Sequence, residues 1–245
     1  MDTQTQLKEM ATWWASPLGA QLFQRERERL QTMSRYFHGH YQLQIGAPAT
    51  LLPTMSLPKY RKRMAQGADV VGHDDALPFK ASSFDTILLS HVLEMSATPH
   101  QLLREADRVL VGDGTLVICC FNPWSSWGAR RLLSRQKTAP WHGHFFGKLR
   151  LKDWLVLLNF DVIACQRIML QPPINHQGWL SRLAWLDHCP QRLSNAIGAV
   201  TILVAAKRTI PLTPIAKRWR TPIFSGKRLL PQAKVSKREK SNGAR

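Results

Sequence analysis

Apolar residues Leu18, Leu22, Leu30 and Met33, with Arg25/Glu26 between them, recur at helical spacing and predict an amphipathic helix over 16–37. Ser16 is placed to cap it, Pro17 suits its first position, and the RERER run falls on its outer side. Trp13 and Trp14 precede that helix and are expected to pack over the core or the neighbouring cleft. Tyr41–Gly46 (YQLQIG) reads as a short strand ending at a glycine. Pro48, Pro53 and Pro58 forbid a long helix over 47–67, and Ala68–Gly72 predicts a further short strand. Phe84–Ser90 (FDTILLS) is apolar at consecutive positions, as in a parallel strand covered on both faces.

A helix is expected over Pro99–Val111, with Leu102, Leu103, Ala106, Val109 and Leu110 inward. Gly112-Asp113-Gly114 then turns the chain into a strand, Thr115–Phe121. Helices follow at Ser125–Arg135 and Lys152–Leu158, and the last strands at Phe160–Gln166 and Ala199–Lys207. Between those strands, residues 171–195 carry WLSRLAWLDH, a short lid-like helix. Strands and helices in alternation predict a three-layer α/β sandwich around a mostly parallel sheet. The chain divides into an N-terminal helical segment (1–40), a core domain (41–208) with the helical insertion 171–195, and a tail (209–245).

Composition narrows this picture. A chain of 245 residues, 44% hydrophobic with nine Trp, can bury a sizeable core. The longest uncharged apolar run, Ala196–Ala206, falls short of the roughly 18–20 residues that span a bilayer. The N-terminus, MDTQTQLKEM, holds no apolar signal core, so a cytoplasmic protein without a membrane span is expected. Cys119 and Cys120 lie in a strand pattern, Cys165 and Cys189 stand apart, and no CxxC suggests zinc or a disulfide framework. The triplets His38-Gly39-His40 and His142-Gly143-His144 read as polar loop residues, so no metal site is assigned.

Half of the net charge of +18 sits in 209–245, where ten Lys or Arg face Glu239 alone among four prolines. Such a tail is expected to be disordered and to attract polyanions such as nucleic acid by a salt-sensitive, sequence-independent mechanism. It can equally be a solubilising tail; Trp219, Ile223 and Phe224 are unusual in that role and could anchor a partner.

The most informative stretch is 72–131, GHDDALPFKASSFDTILLSHVLEMSATPHQLLREADRVLVGDGTLVICCFNPWSSWGARR. It resembles the second half of the nucleotide-binding core of class I S-adenosylmethionine (SAM) dependent methyltransferases of type 11, and the likeness extends over about 12–208. The resemblance implies a Rossmann-like three-layer fold on a mostly parallel seven-stranded sheet. It implies SAM as cofactor and direct methyl transfer to an unidentified acceptor, a small molecule being favoured. The family's glycine-rich loop is degenerate here. Gln44 stands at its acidic position, Gly46 is its first glycine, and Pro48 and Thr50 replace the later ones. No acidic residue lies between Tyr36 and Ala68 to take the ribose hydroxyls, and the short interval from Gly46 to Leu77 implies a shrunken first βαβ unit.

The other site assignments follow from the same likeness. The adenine-binding acid becomes His73, and Asp74 or Asp75 could substitute after a one-residue shift. Ser90-His91-Val92-Leu93-Glu94 lines the cleft beside the methionine sulfur. Ser90 is assigned to the cofactor, His91 is the candidate general base or a positioning group, and Glu94 braces the turn. Arg104 and Glu105 read as structural ion-pair residues. Asn122, Trp124 and Trp127, backed by Arg130 and Arg131, are placed on the substrate side. The other reading of that segment is a helix start capped by Ser125 with Trp in the core. A non-catalytic relative serving as a binding module, and a nucleic-acid-binding or -modifying protein, are the alternatives.

Overall fold

In the computed structural model the described residues are 3–53, 60–64, 76–133, 140–176, 178, 182–183, 185–186 and 191–209. They lie in one compact unit, Met1–Ile210. The elements are α1 (Thr3–Trp14), α2 (Pro17–Thr32), β1 (Tyr41–Gly46), β2 (Tyr60–Met64), β3 (Phe84–Ser90), α3 (Pro99–Val109) and β4 (Leu110–Phe121). After them come α4 (Ser126–Leu133), α5 (Lys148–Leu157), β5 (Phe160–Ile168), α6 (Gln191–Ile197) and β6 (Val200–Lys207).

Six strands form one sheet in the order β2-β1-β3-β4-β6-β5. The pairs β1–β2, β1–β3 and β3–β4 are parallel, while β6 runs antiparallel to β4 and β5. The chain steps from β1 outward to β2 and then back across β1 to β3, so the order reverses at the β1/β3 boundary. In open α/β sheets ligands bind outside the carboxyl ends of the strands at such a reversal.

The sheet is covered on both faces. Leu18, Leu22, Leu30 and Trp127 from α2 and α4 pack with Leu88, Val117, Phe121 and Ile202 on one side. Leu102, Leu103, Ala106, Leu151 and Leu155 from α3 and α5 pack with Leu43, Ile45, Ile87, Leu89 and Ile118 on the other. Alternate residues of β3 and β4 thus serve opposite cores, which is why Ile87–Leu89 and Leu116–Phe121 are apolar without a break.

The Rossmann-like three-layer fold holds, and β1 and β3 have the predicted bounds. Among the described residues the sheet has six strands rather than seven; the strand expected at Ala68–Gly72 lies outside them, as does most of WLSRLAWLDH. The local corrections concern two further elements, one helix end and one turn. Helix α1 falls within the N-terminal helical segment expected over 1–40, but it was not read as a separate helix, although Leu7, Met10, Ala11 and Trp14 recur at helical spacing. The predicted helix over 16–37 is α2 followed by a 3-10 turn, Ser34–Tyr36. Gly112-Asp113-Gly114 does not precede the strand but is an irregularity inside β4, where pairing jumps from Phe84↔Leu110 to Thr86↔Thr115 and Asp113 takes φ +63°. Strand β2 in the proline-rich segment was also unforeseen. No helix among the described residues is long and apolar enough to cross a membrane.

Candidate functional site

The site is built where β1 and β3 end. Gly46 pairs with Ser90 across the two strands. At Gly46 the backbone has φ +82°, and a Cβ there would lie 2.2 Å from the Ser90 carbonyl oxygen and 2.5 Å from Val92 Cγ2. Only glycine fits that conformation and that clearance. Ala47 follows at φ +45°, and His91, immediately after β3, has φ +53°. Two facing strand ends therefore both turn sharply through left-handed residues, a costly arrangement that clusters at functional sites.

Gln44 does not point its amide into open space. Its Nε2 donates to the Ala49 carbonyl at 2.7 Å and its Oε1 accepts from Leu51 N–H at 2.8 Å. It braces the shortened loop, whose Leu51 and Leu52 are buried. Ser90 is buried too, and its Oγ has no hydrogen-bond partner among the described residues. Asp74 and Asp75, like His73, lie outside the described residues.

His91 is the centre of the most unusual arrangement in the molecule. It is 2% exposed. Its Nε2 lies 2.6 Å from Glu26 Oε1 on α2, and its Nδ1 lies 3.1 Å from Glu94 Oε1. Glu94 Oε1 also accepts the Phe121 N–H at 2.7 Å, which ties the turn after β3 to the end of β4. Burial would depress the imidazole pKa, but the charges of Glu26 and Glu94 and their hydrogen bonds outweigh it and raise it to about 10. At neutral pH His91 is an imidazolium donating both ring protons to carboxylates. It has no lone pair with which to accept a proton, so the general-base assignment gives way to a positioning role. Glu26 Oε2 and Glu94 Oε2 are buried without partners among the described residues.

Aromatic rings enclose this triad. Phe121 lies 4.1 Å from the His91 ring and Trp14 5.6 Å, centroid to centroid. Trp13, Trp127 and Phe145 extend the cluster through Phe121 at 6.1, 5.4 and 4.9 Å. Burial also pushes the thiols of Cys119 and Cys120 upward, reinforced by the nearby carboxylates, so they are poor nucleophiles.

The substrate-side candidates separate. Asn122 is buried and spent on structure: Nδ2 donates to the Gly198 carbonyl at 2.9 Å and Oδ1 accepts the Trp124 N–H at 3.1 Å. Trp127 is in the core, its Nε1 donating to the Gln171 carbonyl at 2.9 Å. Trp124 lies at the surface, 76% exposed. Ser125 accepts the Gly128 N–H at 3.3 Å and caps α4. The helix-start reading therefore describes this segment, and Asn122 and Trp127 are removed from the substrate wall. Arg130 donates to the Pro173 carbonyl and stacks on Trp141, while Arg131 lies over Phe145.

Glu105 is structural as expected, although its partner is Arg108 rather than Arg104. The carboxylate takes two bonds from Arg108, at 2.8 and 2.9 Å, and one from Leu77 N–H. Those bonds, Arg108's first, hold its carboxyl below the usual range. Arg108 in turn donates to the Leu77 and Phe79 carbonyls, so the pair pins the Leu77-Pro78-Phe79 loop. No group of three metal-ligating side chains occurs among the described residues.

Glu26 is the residue the sequence reading passed over. Position 26 falls four residues from both Leu22 and Leu30, on the buried stripe, and a carboxylate there signals a buried cation opposite it.

The residues present can be weighed against a SAM molecule. The unpartnered Ser90 hydroxyl, the glycine turn beside it and the surplus buried negative charge fit the polar, cationic methionine end. No carboxylate stands between β1 and the end of β2 among the described residues, and the segment after β2, where the family places its ribose acid, lies outside them.

Comparison with known proteins agrees with this core. The methyltransferase domain family matches residues 53–118. An uncharacterized Escherichia coli (strain K12) protein, YafS, is 45% identical over 152 residues, which cover 61% of this chain and 60% of that protein. The match thus spans about three fifths of that relative's length. Among solved structures, a SAM-dependent methyltransferase from Thermotoga maritima superposes with a TM-score of 0.61 at 17% identity, over 82% of this chain and 95% of its own. A SAM-dependent methyltransferase from Mesorhizobium loti gives 0.51 at 13% identity, over 74% and 96%. The described sheet has the fold of these two structures, and residues 53–118 match the methyltransferase domain family.

Proposed function

We propose that the chain is a SAM-dependent methyltransferase that transfers a methyl group directly to a small-molecule acceptor, with α1 and α2 closing over the site. The observation that supports it most is the convergence of Gly46 and Ser90–His91 on adjacent strand ends at the reversal of strand order, beside a hydroxyl without a partner. Gly46 would let the backbone approach the cofactor, Ser90 would meet its polar end, and Gln44 would hold the loop that carries them. Asp74 or Asp75 would take the adenosine end. SAM, when bound, supplies an electrophilic methyl group on a sulfonium.

The chain's own work is then positioning. His91 keeps its protons and ties Glu26, and with it α2, to the turn after β3. Trp13, Trp14 and Phe121 exclude water from that region. Direct displacement needs alignment and a dry cleft more than proton transfer, and positioning of this kind can supply several kcal/mol of barrier lowering, up to about 7–11.

A second reading is a non-catalytic relative of the same fold, since fold alone does not settle activity. Gln44 uses both amide atoms on the loop, and Leu51 and Leu52 of that loop are buried in the core. Calorimetric titration with SAM and S-adenosylhomocysteine separates the two. The enzyme reading expects binding that is abolished by Gly46→Arg and weakened by Asp75→Ala. Absence of heat at millimolar ligand leaves the binding-module reading.

A further inference from the structure

We propose that the cavity between α2, β5 and α6 is an oxyanion-binding site, taking a phosphate or carboxylate group through Arg29 and Arg167. The cavity is about 210 Å³ and opens to solvent between the outer side of α2, the end of β5 and α6. Its volume is below the roughly 300–1,000 Å³ of sites for drug-sized ligands, so its occupant is a small anion or one anionic group of a larger molecule. Three guanidinium side chains line it, Arg25, Arg29 and Arg167, against one carboxylate, Glu28. Glu28 is already engaged by Gln24 Nε2 at 3.0 Å and by Arg25 at 3.4 Å. It therefore does not neutralise the other two cations.

Arg29 and Arg167 have donors to spare. The Nε atoms of both are shielded from solvent and make no hydrogen bond among the described residues. Arg167 anchors itself through Nη1 to the Asn195 and Ala196 carbonyls, at 3.1 and 2.6 Å, which fixes its fork beside the cavity. The Arg29 guanidinium has neither a hydrogen bond nor an ion pair among the described residues. Desolvation acts on its guanidinium with no compensating carboxylate. A guanidinium stays charged, so an orphaned Nε under partial burial is a standing cost. An oxyanion accepting from both forks removes it. Ser194 and Gln191 complete the wall with a hydroxyl and an amide. The site lies outside the Gly46–Ser90 cleft and does not depend on methyl transfer.

The test uses the full chain titrated with inorganic phosphate and, separately, with acetate, at constant ionic strength made up with chloride. The wild type should bind one anion saturably, and Arg29→Met should raise Kd about tenfold or more, the worth of a charge-assisted hydrogen bond. Lys152→Met removes an equal charge from an exposed position on α5, and should leave Kd within about twofold, because distant surface charges are screened. Arg29→Met makes no described bond to lose, so its thermal stability in chloride should equal or exceed that of the wild type. Binding of phosphate alone assigns a phosphate group; binding of acetate as well assigns carboxylates too. A linear, non-saturable response of the wild type to both anions, or an equal response in Arg29→Met, overturns the proposal.

Discussion

At the scale of single residues, His91 makes a prediction about pH. In the unfolded chain its imidazole loses a proton near 6.5, while in the folded protein it keeps it to about 10. Between those values unfolding releases a proton, so its contribution is complete below about pH 6.5 and is lost as pH rises through 10. Denaturant melts from pH 6 to 10 should show falling stability, and Glu26→Gln should flatten the slope because one of the two charges that hold the proton is gone. A slope identical in the variant would refute the assignment. His91→Ala is a harsher change, leaving Glu26 and Glu94 buried with no cation between them; a loss of roughly 3–5 kcal/mol is expected from equilibrium unfolding. Gly46→Ala tests the facing turn. With φ +82° and a Cβ 2.2 Å from a carbonyl oxygen, the strain should cost at least about 1–3 kcal/mol. An unchanged melting temperature would show that the backbone relaxes there.

At the scale of elements, α2 does two jobs that its sequence specifies separately. Ser16 Oγ accepts the Gly19 N–H at 3.1 Å and Pro17 fixes the first turn, so the helix start is set locally. Ser16→Ala should cost about 0.5–2 kcal/mol, which in a chain of this size lowers Tm by roughly 2–4 °C per kcal/mol. Because α2 also carries Glu26, the same substitution should accelerate hydrogen exchange at the His91 turn. What was legible in the chain follows from this locality. Caps, the glycine at the end of β1 and the apolar run Ile87–Leu89 of β3 are written in neighbouring residues, so the start of α2 and both bounds of β1 and β3 were read. Glu26 was not, because its meaning depends on an imidazole 65 residues away. Asn122 and Trp127 looked like a substrate wall because their residue types suit one. Only the carbonyls of Gly198 and Gln171, delivered from distant segments, show that their polar atoms are already used.

At the scale of the whole molecule, charge is the property that fold and site leave unexplained. The chain carries +18, half of it in 209–245, while the buried triad at the sheet edge holds two carboxylates against one imidazolium. A field of this sign draws polyanions to the surface by counterion release, without sequence preference, and it acts whether or not the cleft is catalytic. If the basic segment contacts nucleic acid, the observed affinity must fall linearly on a log–log plot against salt. Each phosphate neutralised contributes a slope of about −0.7 on single strands. Ten Lys or Arg in the segment set a ceiling near −7 for a single-stranded RNA, and deletion of 209–245 should remove most of that slope. The remaining cations, among them those around the α2–β5 cavity, should leave a shallow residue that phosphate competes away. Retention that is independent of salt, or a slope that survives the deletion, would exclude the tail as a polyanion-binding element and leave it as a solubilising one.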